Sequence, residues 1–295
     1  MELRHLRYFI RAAELLHFTR AAEALYISQP TLSIHIQQLE EELGAELFAR
    51  VGRKVRLTEA GELLLIRARQ AMRELEAAAQ EIDATTGLLR GSMSIAALPL
   101  YSSRLLPSWM TAFNSLHPNV HIKARSGSSD DIEAGILAGT IDLGFSIVPV
   151  EHPEINVREL FADDVVMVVS KDHPIARVKK LELGDLRTLP MALASPRIVA
   201  SRLLRKYFDE NAVVPNVVVE FDDGHALVEI AKMGSLVTFL PKSGVMEDPS
   251  ILLLPLPDAG LRVTAAALWL YLSPAGKSFL EIATQEAKAL QWTVS

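Results

Sequence analysis

Residues 18–44 contain two short amphipathic segments joined by a tight turn, and this feature restricts the N-terminal fold more than any other. In both segments apolar residues recur every three or four positions, which is the spacing of one helix face. Thr19 is expected to cap the first helix and Ser28 the second, because hydroxyl side chains accept hydrogen bonds from a free first turn. Gly44 is expected to end the second helix. Residues 3–16 show the same spacing and predict a preceding helix.

The outer face of the second predicted helix carries small polar side chains able to meet base edges, namely Gln29, Thr31, Ser33 and Gln37. Two helices joined by a short turn, the second polar outside, are typical of a helix-turn-helix whose second helix enters the major groove. Helix pairs with polar outer faces are also common in other proteins. The pattern by itself therefore leaves both interpretations open.

A basic segment, RVGRKVR at residues 50–56, follows the second helix. Its four cations have no acid between them, although the whole chain has a formal net charge of −6. Residues 1–58 carry eight Lys and Arg against seven Asp and Glu, so their net charge is +1 and the remainder carries −7. With Gly52 at the tip of a hairpin over residues 48–57, the segment predicts a wing that contacts phosphates or the minor groove.

The motifs LRYFIRAAE, FTRAAEAL, ISQPTLSIHIQQLEEELGAELFAR and LTEAG, in this order, resemble the winged helix-turn-helix of LysR-type transcriptional regulators. The family's string is matched at Ala21, Ala22, Leu25, Ser28, Gln29, Pro30, Ser33, Leu39, Glu40, Leu43, Gly44, Leu47, Phe48, Arg50, Leu57, Thr58, Ala60 and Gly61. The resemblance implies DNA contacts from Thr19, Arg20, Ser28, Gln29, Pro30, Thr31, Ser33, Ile34, Gln37, Arg50, Arg53 and Lys54. It places the helix residues toward bases and the hairpin cations on phosphates or in the minor groove.

Residues 59–88 lack proline, are rich in Ala, Leu, Glu and Arg, and predict one long helix. Apolar residues recur on this helix at spacings of three and four, at Leu64, Ala68, Ala71, Leu75, Ala78 and Ile82. They form a stripe wide enough to pack against a partner helix. A helix packed on its own domain is the alternative. In the family this linker helix dimerises, and two DNA half-sites also require a symmetric dimer. Gly87 and Gly91 would then form a hinge.

From Ser92 onward short apolar runs alternate with helical segments, which predicts a parallel or mixed α/β sheet with helices on both faces. The predicted strands are residues 93–98, 120–126, 141–147, 163–170, 190–195, 216–221, 235–241 and 264–272. This region resembles the two-lobed, periplasmic-binding-protein-like effector domain of the same family. The predicted division is a DNA-binding domain at 1–58, a linker at 59–90 and an effector domain at 91–295, with one lobe at 91–162 and 266–295 and the other at 163–265. The crossing of the chain between lobes is implied by the resemblance alone.

Small ligands of open α/β units bind at the carboxyl ends of strands, where helix N-termini offer free N–H groups. The sequence places nine candidate residues at such positions: Pro99, Leu100, Tyr101, Ser102, Ser128, Ser129, Ser195, Arg197 and Phe239. The resemblance implies the same region, because the family's inducer pocket lies at the corresponding loops. The guanidinium of Arg197 would select a carboxylate or another small anion. A surface salt bridge for Arg197, and plain helix caps for the serines, remain open alternatives.

Two departures from the family pattern concern the effector. Residues 232–236 read KMGSL where the family usually has A-G-x-G-I, and Pro99 and Leu100 stand where relatives often carry hydroxyls. These residues predict a more apolar pocket than in sensors of aromatic acids. The effector region also somewhat resembles the cyanate-type branch of the family.

Sequence motifs give no support for catalysis or metal binding. The chain lacks cysteine, HExxH, G-x-S-x-G and G-x-G-x-x-G, and Tyr271 stands where a phosphate loop ending in Gly276-Lys277-Ser278 requires glycine. We therefore expect no enzyme activity, no metal site and no cofactor besides the small-molecule effector.

Composition predicts a globular chain of more than one domain, with 49% hydrophobic and 22% charged residues over 295 positions. No apolar run has bilayer length, and Arg4, Arg7 and Arg11 interrupt the N-terminus where a signal peptide needs an apolar core. We expect a cytoplasmic protein without a membrane partner, which disfavours a solute-binding protein of transport. The expected partners are a double-stranded DNA operator, a small-molecule effector, further copies of the chain in a dimer or tetramer, and RNA polymerase.

Overall fold

The structure is a computed structural model that describes residues 1–52, 54–85, 89–258 and 260–289. The described chain divides into two compact units. The first unit contains the N-terminal helices, the hairpin and the long helix. The second contains the α/β elements. This arrangement confirms the predicted fold class.

Three helices open the first unit: α1 (Leu3–Leu15), α2 (Phe18–Ala24) and α3 (Gln29–Leu43). The hydroxyl of Ser28 accepts a hydrogen bond from the Thr31 N–H at 3.2 Å, which confirms the predicted cap of α3. Gly44 ends α3 with a φ of 66°, a conformation that costs glycine little. The prediction that Thr19 caps α2 is wrong, because His17 takes that place and its Nδ1 accepts from the Arg20 N–H at 3.3 Å.

The predicted hairpin consists of β1 (Phe48–Val51) and β2 (Lys54–Leu57), paired antiparallel from Phe48 opposite Leu57 to Val51 opposite Lys54. The long helix α4 spans Glu59–Thr85, and the last three residues of its predicted range lie outside the described residues. Leu64 and Ala68, the first two residues of the predicted stripe, pack in the core of the first unit. Ala71, Leu75 and Ala78 of the same stripe are exposed.

The described residues of the second unit form seven further helices and nine strands, together with two 3-10 turns. The helices are α5 (Pro99–Arg104), α6 (Leu106–Leu116), α7 (Ser129–Leu137), α8 (Leu183–Leu186), α9 (Val199–Glu210), α10 (Gly224–Lys232) and α11 (Pro274–Ala289). The strands are β3 (Gly91–Ala97), β4 (Val120–Ser126), β5 (Leu143–Val148), β6 (Asn156–Ser170), β7 (Pro190–Leu193), β8 (Asn216–Glu220), β9 (Thr238–Pro241), β10 (Ile251–Pro255) and β11 (Arg262–Trp269).

The strand β6 connects two lobes of this unit. Its first half pairs with β11, which continues through β5 and β3 to β4, and these strands form the first lobe. Its second half pairs with β9 and β10, and these strands form the second lobe together with the parallel pair β7 and β8. The chain enters the second lobe along β6 and returns to the first between β10 and β11. A mixed sheet with helices, as predicted, is therefore present.

Two strand predictions need correction. The strand predicted at 163–170 begins at Asn156, and the strand at 251–255 was not predicted. Both omitted segments pair on one side only, since the first half of β6 borders β11 alone and β10 borders β6 alone. The first half of β6 carries Asn156, Arg158 and Glu159 and therefore lacks the continuous apolar run of a central strand, because an edge strand keeps polar or half-exposed side chains. The strand β10 reads ILLLP, an apolar run that the predictions omitted.

Candidate functional site

The outer face of α3 presents polar side chains on a rigid support. Leu32, Ile36 and Leu39 anchor the helix in the core of the first unit. On the opposite side the Gln29 amide donates to the Ser33 hydroxyl at 2.8 Å, and the hydroxyls of Ser28 and Thr31 lie 2.7 Å apart. Side chains held in this way lose little conformational freedom when they contact a ligand. The exposed members of the predicted DNA-contacting set are Thr19, Arg20, Ser28, Gln29, Pro30, Thr31, Ile34, Gln37 and Lys54, while Ser33 is half-buried.

The hairpin presents cations on one face. Lys54 and Arg56 are exposed and alternate along β2 with half-buried apolar residues. Arg56 is a basic residue of this face that our DNA-contacting set omitted, although its position two residues from Lys54 on a strand predicts the shared face. Arg53 and the side chain of Arg50 lie outside the described residues.

Side-chain hydrogen bonds hold the hairpin to α3 and α4. The Glu40 carboxylate accepts from the N–H groups of Leu47 at 2.7 Å and of Phe48 at 3.2 Å. The Thr58 hydroxyl donates to the Glu46 carbonyl at 2.6 Å and accepts from the Gly61 N–H at 3.0 Å. These contacts fix the hairpin cations relative to the outer face of α3.

The second unit contains a cavity of about 590 Å³ between its two lobes. It lies at the carboxyl ends of the parallel strands β3 and β4 in one lobe and β7 and β8 in the other, as expected for an open α/β fold. Most of the lining is apolar. The lining residues are Leu98, Pro99, Leu100, Tyr101, Ser126, Gly127, Ser128, Ser129, Asp130, Asp131, Ile147, Ala194, Arg197, Ile198, Val199, Ala200, Ser201, Leu204, Asp222, Gly224, Leu227, Phe239, Leu240 and Pro241.

Seven of the nine candidate effector residues line this cavity: Pro99, Leu100, Tyr101, Ser128, Ser129, Arg197 and Phe239. Ser102 and Ser195 do not. Ser195 instead holds Asp222, because its N–H donates to one carboxylate oxygen at 2.8 Å and its hydroxyl to the other at 2.9 Å. These two hydrogen bonds, followed by the charge of Arg197, lower the pKa of Asp222 below its usual value.

The N-terminus of α9 is the polar element of the cavity that our candidates missed. Its N-cap, Ile198, makes no side-chain hydrogen bond, and Val199, Ala200 and Ser201 of its first turn line the cavity. The short helix α5 also lacks a side-chain cap at Leu98, whereas Asp223 caps α10, and Ser128 caps α7 while donating to Asp131. A weak signal for the uncapped N-terminus of α9 is present in the sequence, since ASPRIVAS places no capping side chain directly before the helix.

Charges at the cavity are mixed. Arg197 is 87% exposed and lies 3.6 Å from Asp222. Asp130 and Asp131 line the opposite side. Hydrogen bonds from the Ser128 hydroxyl and N–H lower the pKa of Asp131, which therefore carries its negative charge at neutral pH.

The helix α5 of the first lobe is held by residues of the second. Leu100 lies so close to Gly224 and Gly244 that a Cβ on either glycine would come within 2.9 Å and 2.6 Å of its side chain, respectively. The Ser103 hydroxyl lies 2.9 Å from Nε2 of His225. The two lobes are thus docked at α5, a helix that the sequence predictions omitted.

A buried polar group lies beside this contact. Asp163 on β6 is 1% exposed, accepts from the Ser243 N–H at 3.0 Å and from its hydroxyl, and lies 3.4 Å from the Tyr101 hydroxyl. Burial raises the pKa of Asp163 and raises that of Tyr101 well above its usual value, with the Asp163 charge as a further cause for Tyr101. The carboxylate thus makes hydrogen bonds to groups from both lobes in the docked arrangement.

The described residues contain neither a helix that could span a membrane nor a cluster of metal-binding side chains. No helix among them is long and apolar enough to cross a bilayer. The described part of the chain also lacks any group of three or more His, Cys, Asp or Glu placed to hold a metal ion.

Solved structures share this architecture over nearly the whole chain. Full-length OxyR from Pseudomonas aeruginosa superimposes with a TM-score of 0.81 at 22% identity, over 98% of this chain and 95% of that one. Full-length CbnR in complex with its target DNA gives a TM-score of 0.68 at 26% identity, over 97% of this chain and 100% of that one.

Family models and curated proteins identify the sequence family. Residues 3–62 match the bacterial regulatory helix-turn-helix protein of the lysR family, and residues 86–288 match the LysR substrate binding domain. The transcriptional dual regulator GltC of Bacillus subtilis (strain 168) is 35% identical over 84% of this chain and 83% of its own length. The HTH-type transcriptional regulator AlsR of the same organism is 31% identical over 82% and 81%. The chain therefore belongs to the LysR family: it is a DNA-binding transcriptional regulator with an effector-binding domain, and it is not an enzyme.

Proposed function

We propose that this regulator reads its operator with α3 and the β1–β2 hairpin, and that a small, largely apolar monocarboxylate bound in the cavity changes DNA binding or bending. The observation that carries the effector class is the cavity itself, which is mostly apolar and has the uncapped N-terminus of α9 beside Arg197. The proposed division of labour keeps residues 1–58 for DNA, 59–90 for linkage and 91–295 for the effector. Such a regulator would act in the cytoplasm, with RNA polymerase as a further partner.

The roles of α3 and the hairpin follow from their chemistry. Gln29 and Thr31 at the start of α3 are exposed polar groups, and the first residues of a recognition helix are those that reach base edges. Lys54 and Arg56 are exposed cations, which bind phosphates without regard to sequence. Mutations should therefore distinguish the two kinds of contact: loss of a base contact should reduce sequence discrimination, and loss of a phosphate contact should reduce affinity for all DNA.

Gln29→Ala is expected to relax discrimination at particular base pairs by about 1–3 kcal/mol, and Lys54→Ala to weaken binding to all sequences and lower the salt slope by about one. Sites would first be selected from a random duplex pool with the full-length chain. Affinities for the selected site and for random DNA would then be measured at several salt concentrations. Equal losses for both variants on both DNAs would contradict this division of roles.

Self-association is proposed through α4. Beyond the part of the helix that packs in the first unit, Ala71, Leu75 and Ala78 leave an exposed apolar stripe at helical spacing. Two such helices can bury their stripes against each other, and a symmetric dimer matches two DNA half-sites. We propose a tetramer built from two of these dimers.

The proposed effector class follows from the balance of charges. Free N–H groups and the helix dipole at the start of α9 favour a negative group, and Arg197 adds a positive charge beside it. Asp130 and Asp131 on the opposite side would repel a second negative group. Apolar side chains such as Leu100, Leu227 and Phe239 would cover the rest of the molecule.

Arg197→Ala is expected to weaken binding of the effector about tenfold, because a charged hydrogen bond contributes about 1.5–3 kcal/mol and this side chain is largely exposed. The full-length protein would be screened by thermal shift against small monocarboxylates, dicarboxylates, inorganic anions and neutral metabolites of similar size. Arg187→Ala, an exposed arginine of the second lobe away from the cavity, is the matched control. Stabilisation by dicarboxylates or neutral compounds alone would refute the proposed class, as would equal affinity in wild type and Arg197→Ala.

A further inference from the structure

Tyr26 lies in the turn between α2 and α3 with a φ of 56°. Its N–H donates to the Glu23 carbonyl at 3.1 Å, and the Ile27 N–H donates to the Ala22 carbonyl at 3.0 Å. These two bonds form a Schellman motif, in which the residue of left-handed conformation is usually glycine or asparagine. A tyrosine Cβ is crowded in that conformation, so the backbone favours another residue here.

The side chain of Tyr26 does not compensate for this conformation by packing. It is 97% exposed, more than any other large apolar or aromatic residue among the described ones. Its hydroxyl has no hydrogen bond, and its ring no aromatic contact, within the described parts of the chain. Leu16 ends α1 with a similar φ of 45°, but its side chain is only 43% exposed. The tyrosine ring therefore makes no stabilising contact with the described part of the chain, which indicates a role in binding another molecule.

The surroundings of Tyr26 indicate which external group it meets. Ser28, Gln29 and Thr31, directly after it, are exposed and polar, so the ring is not part of an apolar docking patch. Tyrosine hydroxyls are among the groups that bond phosphate oxygens of DNA and fix the register of a protein on the duplex. Tyr26 also lies at the end of α3 that our proposed function turns toward the bases.

We infer that Tyr26 is a DNA-positioning residue whose hydroxyl donates a hydrogen bond to a phosphate oxygen at the wall of the groove that α3 enters. The inference rests on the proposed role of α3. This hydrogen bond sets how deeply the start of α3 enters the groove toward the bases. It also explains why a tyrosine occupies a position whose backbone conformation is unfavourable for it.

Tyr26→Asn gives the sharpest test, because stability and affinity should change in opposite directions. Asparagine adopts the left-handed conformation more readily, so the thermal midpoint of the full-length chain should rise by a few degrees. Affinity for a random-sequence duplex should fall about fivefold, the effect of one hydrogen bond. Tyr26→Phe should show the same loss without the gain in stability. Neither variant should change the salt slope, because a phenol carries no charge.

Two results would overturn the inference. One is wild-type affinity of Tyr26→Asn for the random duplex. The other is wild-type affinity of Tyr26→Phe alongside a loss in Tyr26→Asn, which would assign the contact to another part of the ring or to a protein partner. Tyr271→Phe, at an exposed tyrosine of the second unit outside the cavity lining, serves as the matched control and should leave binding to random DNA unchanged. If Gln29→Ala leaves discrimination among selected sites intact, the proposed role of α3 fails, whereas the Tyr26 variants on random DNA still report the phosphate contact directly.

Discussion

Gly61→Ala is expected to destabilise the N-terminal unit by about 3 kcal/mol, at the upper end for overpacking of a well-packed site. A Cβ at this position would come within 2.1 Å of the Leu47 carbonyl oxygen. That oxygen belongs to the backbone and accepts from the Thr58 N–H at 3.0 Å, so it cannot move without breaking the junction of hairpin and α4. The hairpin would lose its fixed position relative to α3, and DNA binding would fail with it.

The measurement is thermal unfolding of the full-length chain combined with hydrogen exchange resolved by peptide. Protection should fall in α1, α2 and α3 and stay unchanged in the strands of the second unit. Gly184→Ala is the matched control, because a Cβ there would meet nothing within 4 Å. Wild-type protection of the N-terminal helices in Gly61→Ala would show that the junction is looser than the structure indicates.

Gly244→Ala is expected to disturb the docking of the two lobes and to cost about 2–3 kcal/mol. Its Cβ would lie 2.6 Å from Cβ of Leu100, an atom that cannot rotate away. The lobes must separate locally or α5 must shift, and the cavity that Leu100 lines would change with it. Because the sequence has no cysteine, Asn114→Cys and Asp209→Cys provide clean label positions, one on an exposed face of each lobe. The distance between the labels should increase or broaden in Gly244→Ala.

A double-mutant cycle provides the control for this contact. At Gly224 the three atoms nearest to a new Cβ are the outer atoms of the Leu100 side chain, at 2.9 to 3.1 Å, and Leu100→Ala removes all three. Leu100→Ala should therefore rescue Gly224→Ala but not Gly244→Ala, where the Leu100 Cβ remains in place. Additive effects at Gly224, or an unchanged label distance in Gly244→Ala, would rule out the docking role of Leu100.

Local sequence determined the elements whose signals lie within one turn or one helix. Ser28 and Gly44 bound α3 as expected because capping chemistry depends only on nearby N–H and carbonyl groups. The same reasoning failed at Thr19. There His17, two residues earlier, also offers an acceptor, and the local pattern does not say which of them the backbone will use.

Only the tertiary structure decided which residues of distant segments meet. The sequence placed Ser195 and Arg197 at a strand end, but it could not show that Asp222 accepts a hydrogen bond from Ser195 and forms an ion pair with Arg197. The sequence predictions included Leu100 but neither Gly224 nor Gly244, which contact it and lie more than a hundred residues away along the chain. The family motifs, the capping signals and the strand ends that line the cavity were readable because they rest on local spacing, whereas the contacts across the cavity and between the lobes depend on long-range packing that no local pattern encodes.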